Sequence, residues 1–186
     1  PSWSRGLGDV YKRQTLSNPC SIAYGHIKNV FLSGNFSWNY YDSTVGVPYY
    51  GHILLDRPEI NRYSSVHSEY LDQVVFVVDE ILKHNNFTND YFFLRSAVNC
   101  THADGTLLHS QKHEDHHFPH KNILLYLTDT GGKTFVEEEY HDPKEDDVII
   151  FSGEHWAELP KTGRRVVIVN TISVSYTHLR AHETNL

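Results

Sequence analysis

Residues 112–134 read KHEDHHFPHKNILLYLTDTGGKT, and this segment contains the most informative pattern of the chain. Near its start a histidine and a carboxylate, His113 and Asp115, stand two residues apart. Side chains at positions i and i+2 of an extended segment project from the same side. The pair therefore offers two neighbouring ligands to one metal ion. An apolar run at residues 123–127 and a Gly-Gly turn follow, which is typical of a strand leading away from such a site.

A second apolar run, at residues 148–151, is followed by an isolated histidine and then by two adjacent arginines. The histidine is His155, and the arginines are Arg164 and Arg165. Two histidines and one carboxylate, with the other coordination positions open, form the ligand set of non-haem Fe(II) oxygenases. The order and spacing of His113, Asp115 and His155 are compatible with such a site. A cation, Arg164 or Arg165, follows about ten residues after His155.

Four spaced pieces of the chain carry a family resemblance. They are HEDHHFPHK (residues 113–121), ILLYLTDTGGKT (123–134), VIIFSGEH (148–155) and GRRVVIVN (163–170). In this order they resemble the 2-oxoglutarate/Fe(II) dioxygenases of the prolyl 4-hydroxylase type, and more narrowly the short phage and marine-bacterial members. The resemblance covers roughly residues 94–172.

The resemblance implies Fe(II) as the cofactor and 2-oxoglutarate and O₂ as co-substrates. The reaction would release succinate and CO₂ while hydroxylating a C–H bond of a small molecule or a peptide, with a peptidyl proline as the default. The implied metal ligands are His113, Asp115 and His155. The residues implied to bind 2-oxoglutarate are Arg165, Arg164, Tyr126 and Thr134.

Two of these assignments stay open in the sequence. Relatives usually place the distal histidine one or two residues further from the F-x-G piece, and the further of these positions is Ala157 here. Counting back from the arginines favours His155 instead. Arg164 and Arg165 point to opposite faces of a strand, so only one faces the site, and the family spacing favours Arg165. A guanidinium can bind a carboxylate through two parallel hydrogen bonds.

The other histidines of this region are weaker candidates. His109 and Gln111 have the same two-residue offset as the preferred pair, but glutamine is a weak, neutral ligand and this pair stands too far before the Pro-His-Lys piece. His116, His117 and His120 are expected beside the ligands or in solvent.

The fold is predicted from short runs separated by turn residues. The predicted strands are residues 91–98, 106–109, 122–128, 133–138, 147–151 and 164–172. One amphipathic helix is predicted at residues 65–84, capped by Ser64 or Ser65 and ended by Asn85 and Asn86. Residues 15–56 read as short strands and loops. The pattern predicts a mainly β (α+β) fold, a double-stranded β-helix (jelly-roll or cupin-like) core with one main buttressing helix.

The two ends of the chain read as sequence of another origin. Residues 4–14, SRGLGDVYKRQ, and residues 174–184, VSYTHLRAHET, can be encoded on opposite strands of one DNA segment. Unrelated protein ends do not share this property, and both resemble translated sequencing adapters. We therefore predict a single dioxygenase domain at residues 15–173, between adapter-like segments at residues 1–14 and 174–186.

Composition narrows the classes of partner. The formal net charge of −7 disfavours binding to phosphate backbones, so a nucleic-acid partner is not expected, and a basic or neutral substrate is favoured. Cys20 and Cys100 form no paired framework, which suits a reducing cytoplasm. No apolar run has membrane-spanning length and no signal peptide is visible, so we expect no membrane contact and a cytoplasmic location, in the host cytoplasm if the chain is phage-encoded.

A second function stays open. A cupin-like metal-binding module without enzymatic activity would keep the barrel and some of the histidines but lack the residues that capture 2-oxoglutarate. The sequence gives no signal for an oligomeric state.

Overall fold

Eleven strands and three helices form within residues 13–42, 46–103, 105 and 108–175, the part of the chain that the computed structural model describes. The strands are β1 (Arg13–Leu16), β2 (Asn39–Tyr41), β3 (Tyr49–Asp56), β4 (Ser65–Val66), β5 (Asp90–His102), β6 (Lys121–Tyr126), β7 (Thr134–Val136), β8 (Glu139–His141), β9 (Val148–Phe151), β10 (His155–Ala157) and β11 (Arg164–Ser175). The helices are α1 (Ile22–Leu32), α2 (Pro58–Asn61) and α3 (Leu71–His84).

Two antiparallel sheets enclose the core. The large sheet has the order β1-β9-β6-β11-β5-β3-β2, with β4 paired to β3, and the small sheet has the order β10-β7-β8. Between the sheets, Leu124 and Tyr126 of β6 pack with Val167 and Val169 of β11 and with Val136 of the small sheet. This is a double-stranded β-helix, so the prediction of a mainly β fold with such a core is confirmed.

The opposite face of the large sheet carries the helices. Because side chains alternate along a strand, the neighbours Ile123, Leu125, Val166 and Ile168 point away from the inter-sheet space. They form one buried cluster with the apolar faces of α1 and α3. In β11, Arg165, Val167 and Val169 therefore point to the inside of the barrel.

The predicted helix is present as α3 but begins later than expected. Ser65 and Val66 form β4, pairing with the end of β3 at Asp56 and Leu55. The helix starts at Leu71, and neither Ser64 nor Ser65 caps it. The strand pairing holds this segment in an extended conformation, which overrides its helical periodicity.

The predicted end of α3 is confirmed. Asn85 is the C-cap residue, and its side-chain amide donates to the carbonyl oxygen of Ile81 at 2.7 Å. Asn86 then adopts a positive φ of 57°, a conformation in which asparagine is enriched.

The interpretation of residues 15–56 as strands and loops was wrong for α1. Ser21 caps this helix, since its hydroxyl accepts a hydrogen bond from the backbone N–H of Tyr24 at 3.1 Å. Tyr24, Ile27 and Phe31 are its buried residues, whereas Ile22 is 94% exposed. The exposed isoleucine and the glycine at position 25 interrupt the periodic pattern, which explains why the helix was missed.

Five of the six predicted strands correspond to β5, β6, β7, β9 and β11. The sixth, at residues 106–109, includes two residues outside the described part, and its last residue, His109, forms only an isolated bridge with Glu158. No helix in the described part of the chain combines the length and the apolar character that crossing a bilayer requires.

The first and last strands of the chain, β1 and β11, extend beyond the predicted domain boundaries. Arg13 and Gln14 pair with Phe151 and Ile150, so β1 starts two residues before residue 15. At the other end, β11 continues through Ser175 opposite β5. The remaining residues of the adapter-like segments, 1–12 and 176–186, lie outside the described residues.

Candidate metal centre

Three of the predicted site residues come together at one end of the barrel. His113, Asp115 and His155 each offer a ligand atom, and these three atoms lie within 4.8 Å of one another. Nε2 of His155 is 3.5 Å from Oδ2 of Asp115, and the two imidazole rings are 4.4 Å apart at their centroids. Atoms this close can share one ion at ordinary bond lengths of about 2.1 Å.

Backbone pairing sets the distance between the two histidines. The N–H of His113 donates to the carbonyl oxygen of His155 at 3.0 Å, and the N–H of His155 donates to that of His113 at 2.9 Å. His155 begins β10, which pairs with β7 in the small sheet. The structure thus brings His155 to the other two residues. Ala157, the alternative position, lines the same cavity but has no ligand atom in its side chain.

Both imidazoles are oriented by their second nitrogen. Nδ1 of His113 lies 3.0 Å from the carbonyl oxygen of Gln111, and Nδ1 of His155 lies 3.2 Å from that of Gly153. A carbonyl oxygen can only accept, so Nδ1 carries the proton in each ring and Nε2 keeps its lone pair. Burial lowers the pKa of His155, which favours the neutral imidazole that a metal requires.

Asp115 is buried yet charged, because two arginines compensate for its burial. Burial alone would raise the pKa of the carboxyl, but Arg95 and then the neighbouring imidazoles and Arg57 lower it below its usual value. Nη1 of Arg95 donates to Oδ1 at 2.9 Å. Nη1 of Arg57 donates to the backbone carbonyl oxygen of Asp115 at 3.3 Å. The other carboxylate oxygen, Oδ2, is the one near His155.

A second polar cluster lies on the same inner face of the barrel. Arg165 is buried, and its Nη2 donates to the hydroxyl of Thr134 at 2.9 Å. The hydroxyl of Tyr126 donates to the same oxygen at 2.8 Å, and the guanidinium carbon of Arg165 lies 5.2 Å from the Tyr126 ring centre. Nε of Arg165 is buried without a hydrogen-bond partner among the described residues. A buried N–H without a partner is costly, so the cluster is suited to an additional acceptor.

Arg164 points to the other face of β11. Its Nη2 donates to the carbonyl oxygen of Leu32 at the end of α1, at 2.9 Å. Its role is therefore to tie the helix layer to the sheet, and only Arg165 of the two arginines reaches the cavity.

One cavity of about 310 Å³ connects the two clusters. Its lining includes the three possible metal ligands together with Arg165 and Thr134. Leu124, Val167 and Val169 form its apolar wall. The cavity therefore combines a possible metal site with a buried cation.

The remaining histidines do not join the ligand cluster. His116 is buried, with Nδ1 2.6 Å from Oε1 of Glu59 and Nε2 2.7 Å from the hydroxyl of Thr171. His120 packs edge-on against His116. His117 is exposed. These positions agree with the expectation that they lie beside the ligands or in solvent.

Arg57 and Arg95 were not identified from the sequence, although both line the cavity and contact Asp115. Arg57 lies 58 residues before Asp115 and Arg95 lies 20 residues before it. The only signal for Arg95 was its place in a predicted strand, where alternation gives it a face but not a partner. Nothing in the sequence marked Arg57.

Known structures share this fold. An oxidoreductase of the 2OG-Fe(II) oxygenase family from Burkholderia pseudomallei matches with a TM-score of 0.64 and 12% identity, over 87% of this chain and 85% of that one. The viral collagen prolyl hydroxylase from Paramecium Bursaria Chlorella virus-1 matches with a TM-score of 0.55 and 15% identity, over 90% and 98%. A prolyl-4-hydroxylase from Pseudomonas putida matches with a TM-score of 0.53 and 13% identity, over 88% and 92%.

At these identities the likeness establishes the double-stranded β-helix fold. No protein-family model matches the chain, and no curated protein matches it in sequence.

Proposed function

We propose that the protein is an Fe(II)- and 2-oxoglutarate-dependent dioxygenase that hydroxylates a substrate C–H bond. The observation that carries the proposal is the meeting of His113, Asp115 and His155 in one cavity with the buried guanidinium of Arg165. The fold of the structures reported above supports it, since those structures include a 2OG-Fe(II) oxygenase and two prolyl hydroxylases.

The donor set fits Fe(II). Two neutral imidazole nitrogens and one carboxylate oxygen are available, and three ligands leave coordination positions open for co-substrates. Each imidazole donates its other N–H to a backbone carbonyl, which is the usual support of metal-binding histidines. Bound Fe(II) would supply the redox chemistry that couples decarboxylation of 2-oxoglutarate, to succinate and CO₂, with insertion of one O₂ oxygen into a C–H bond.

The protein's own residues hold the co-substrate and shield the site. Arg165 would bind the distal carboxylate of 2-oxoglutarate through charge-assisted hydrogen bonds, including one from its unpartnered Nε. Thr134 and Tyr126 fix the guanidinium and can turn a hydroxyl toward the same ligand. The apolar wall formed by Leu124, Val167 and Val169 limits the access of water to the reacting groups.

The test is turnover of 2-oxoglutarate by the purified protein. We expect slow formation of succinate that requires both Fe(II) and O₂. Asp115→Ala should abolish it, because the anionic ligand and its charge are lost. Asp129→Ala, at an exposed position that does not line the cavity, is the matched control and should retain the activity. Succinate formation no greater than in a metal-free sample would favour the cupin-like binding module instead.

The substrate class in this proposal is a peptide or a small molecule, with a peptidyl proline as one candidate. Two of the structural neighbours are prolyl hydroxylases, which supports the peptide candidate. The short phage or marine-bacterial type, a cytoplasmic location, and a domain at residues 15–173 flanked by adapter-derived ends are further parts of the proposal that rest on the sequence.

A further inference from the structure

Two further arginines, Arg57 and Arg95, line the cavity at the end away from Arg165. Arg95 lies on β5, and Arg57 directly follows β3. Along β11, Arg165 is opposite Thr101 and Thr171 is opposite Arg95. These two registers are separated by about 20 Å, at roughly 3.3 Å per strand residue. The pair therefore lies outside the cluster that would hold the distal carboxylate of 2-oxoglutarate.

One carboxylate serves both guanidinium groups. Oδ1 of Asp115 lies 2.9 Å from Nη1 of Arg95 and 3.8 Å from Nη2 of Arg57. No other acidic side chain of the described residues forms an ion pair with either arginine within 4.0 Å. Glu59, the acidic residue of α2, pairs with His116 at 2.6 Å, and Asp56 accepts a hydrogen bond from the backbone N–H of Arg57 at 2.8 Å. If Asp115 also binds a metal ion, its single charge is shared among three cations.

Two further acidic residues line the cavity without neutralising the pair. The Glu114 side chain is exposed. The carboxylate of Glu158 accepts a hydrogen bond from the backbone N–H of Lys133, at 3.3 Å. Neither carboxylate forms an ion pair with Arg57 or Arg95.

The two guanidinium groups also keep most of their hydrogen-bonding capacity. Each carries five N–H donors. Within the described residues the side chains of Arg95 and Arg57 make one hydrogen bond each. Their side chains are 12% and 31% exposed.

We infer that the substrate carries a carboxylate, which Arg57 and Arg95 bind beside the His113, Asp115 and His155 cluster. This inference rests on the proposed function and adds the substrate class. It differs from the expectation of a basic or neutral substrate, because the overall charge of −7 does not describe the cavity, where the arginines are concentrated. A free carboxylic acid and an acidic side chain of a peptide share this chemistry, and the test separates them.

The test measures binding to the full chain loaded with Mn(II) and 2-oxoglutarate, which prevents turnover. The probes are free L-amino acids, each paired with its amide, and blocked peptides containing Asp or Glu, each paired with the Asn or Gln peptide. We expect at least one carboxylate member to bind more tightly than its neutral partner, on the order of tenfold to a hundredfold. A preference among the amino acids indicates a free acid, and a preference among the peptides indicates an acidic side chain.

Substitutions of Arg57 then test whether this residue causes the preference for carboxylate probes. Arg57→Gln should remove most of it, and Arg57→Lys should keep part of it, because charge remains while the planar fork is lost. Arg62→Gln is the matched control, since Arg62 is exposed and does not line the cavity. Arg57 is preferred over Arg95 for this test because Arg95 makes the closer contact with the Asp115 carboxylate, 2.9 Å against 3.8 Å, so the loss of Arg95 would disturb the metal site more.

The inference is overturned if no carboxylate probe binds more tightly than its neutral partner, or if Arg57→Gln retains the full preference. Binding of 2-oxoglutarate and Fe(II)-dependent succinate formation are measured on the same preparations. If both are present and the preference is absent, only this inference fails. If the protein binds neither Mn(II) nor 2-oxoglutarate, the proposed function fails as well.

Discussion

Arg95 donates a hydrogen bond of 2.9 Å to Oδ1 of Asp115, and thereby fixes which oxygen of that carboxylate faces the candidate metal centre. The free oxygen, Oδ2, lies 3.5 Å from Nε2 of His155. Without Arg95, both oxygens of a buried carboxylate would compete for the same neighbours. The arginine on β5 is therefore a positioning residue for a ligand 20 positions further along the chain.

We expect Arg95→Gln to weaken metal binding by roughly tenfold to a hundredfold, the range found when groups that orient metal ligands are removed. The affinity for Mn(II) can be measured by isothermal titration calorimetry, with the exposed Arg62→Gln as the control. An unchanged affinity would show that Asp115 keeps its orientation without the arginine.

The two adjacent arginines of β11 should behave differently. Arg165→Leu should raise the KM for 2-oxoglutarate on the order of a hundredfold while leaving Mn(II) affinity nearly unchanged, because a charge-assisted contact is lost away from the metal ligands. Arg164→Leu should leave the KM unchanged. It should lower the free energy of unfolding by about 1 kcal/mol, because its hydrogen bond to Leu32 is lost. The reverse ranking in KM would contradict the observed faces of the strand.

Acid should destabilise the metal-free protein partly through Asp115. Its pKa is lowered in the folded state, so it contributes stability above its unfolded pKa of about 3.9, and this contribution is lost as the pH falls through the lower folded pKa. We expect Asp115→Asn to be less stable than the wild type near neutral pH, with the difference shrinking below about pH 4. Urea unfolding in the presence of a chelator, across this pH range, measures it. A difference that does not depend on pH would contradict the assignment.

The chain ends give a prediction with a sharp boundary. If the adapter-like segments at residues 1–14 and 174–186 are foreign to the domain, removing residues 1–12 and 176–186 should leave the melting temperature unchanged. Removing two more residues at each end should lower it, because Arg13 and Gln14 pair with β9, and Val174 and Ser175 pair with β5. Thermal unfolding of the two truncations checks both statements. A large drop in the melting temperature when only residues 1–12 and 176–186 are removed would contradict the adapter interpretation.

The local part of the site could be predicted from the sequence. His113 and Asp115 are related by strand geometry alone, which requires only a two-residue offset. Alternation along β11 places Arg164 and Arg165 on opposite faces, and the spacing in the resembling family favoured Arg165, but both faces of this strand are apolar, so the sequence alone does not show which one is inward. The position of the distal histidine could not be predicted in this way. The turn between β9 and β10 determines whether residue 155 or residue 157 lies beside His113. The conformation of this turn, with a φ of 94° at Gly153, cannot be inferred from residue spacing.

The non-local part of the site could not be predicted. Arg57 and Arg95 reach Asp115 because β3 pairs with β5 and β5 pairs with β11, and strand order has no signature in a single sequence. The start of α3 shows the same limit, since helical periodicity from residue 65 onward yields to the pairing of Ser65 with Asp56. The pairing of strands determines both the arginine contacts with Asp115 and the start of α3, and residue spacing does not show which strands pair.

The reciprocal backbone hydrogen bonds between His113 and His155 have a consequence for ion selectivity. These bonds fix the spacing of the two backbone segments that carry the imidazoles before any ion arrives, so that this spacing is not set by iron. Such a site ranks first-row divalent ions by the Irving–Williams order, in which Cu²⁺ and Zn²⁺ exceed Fe²⁺. Under the proposed function, the ion bound at this site would be set by cellular supply, and protein purified without control of trace metals would carry a stronger competitor in place of iron.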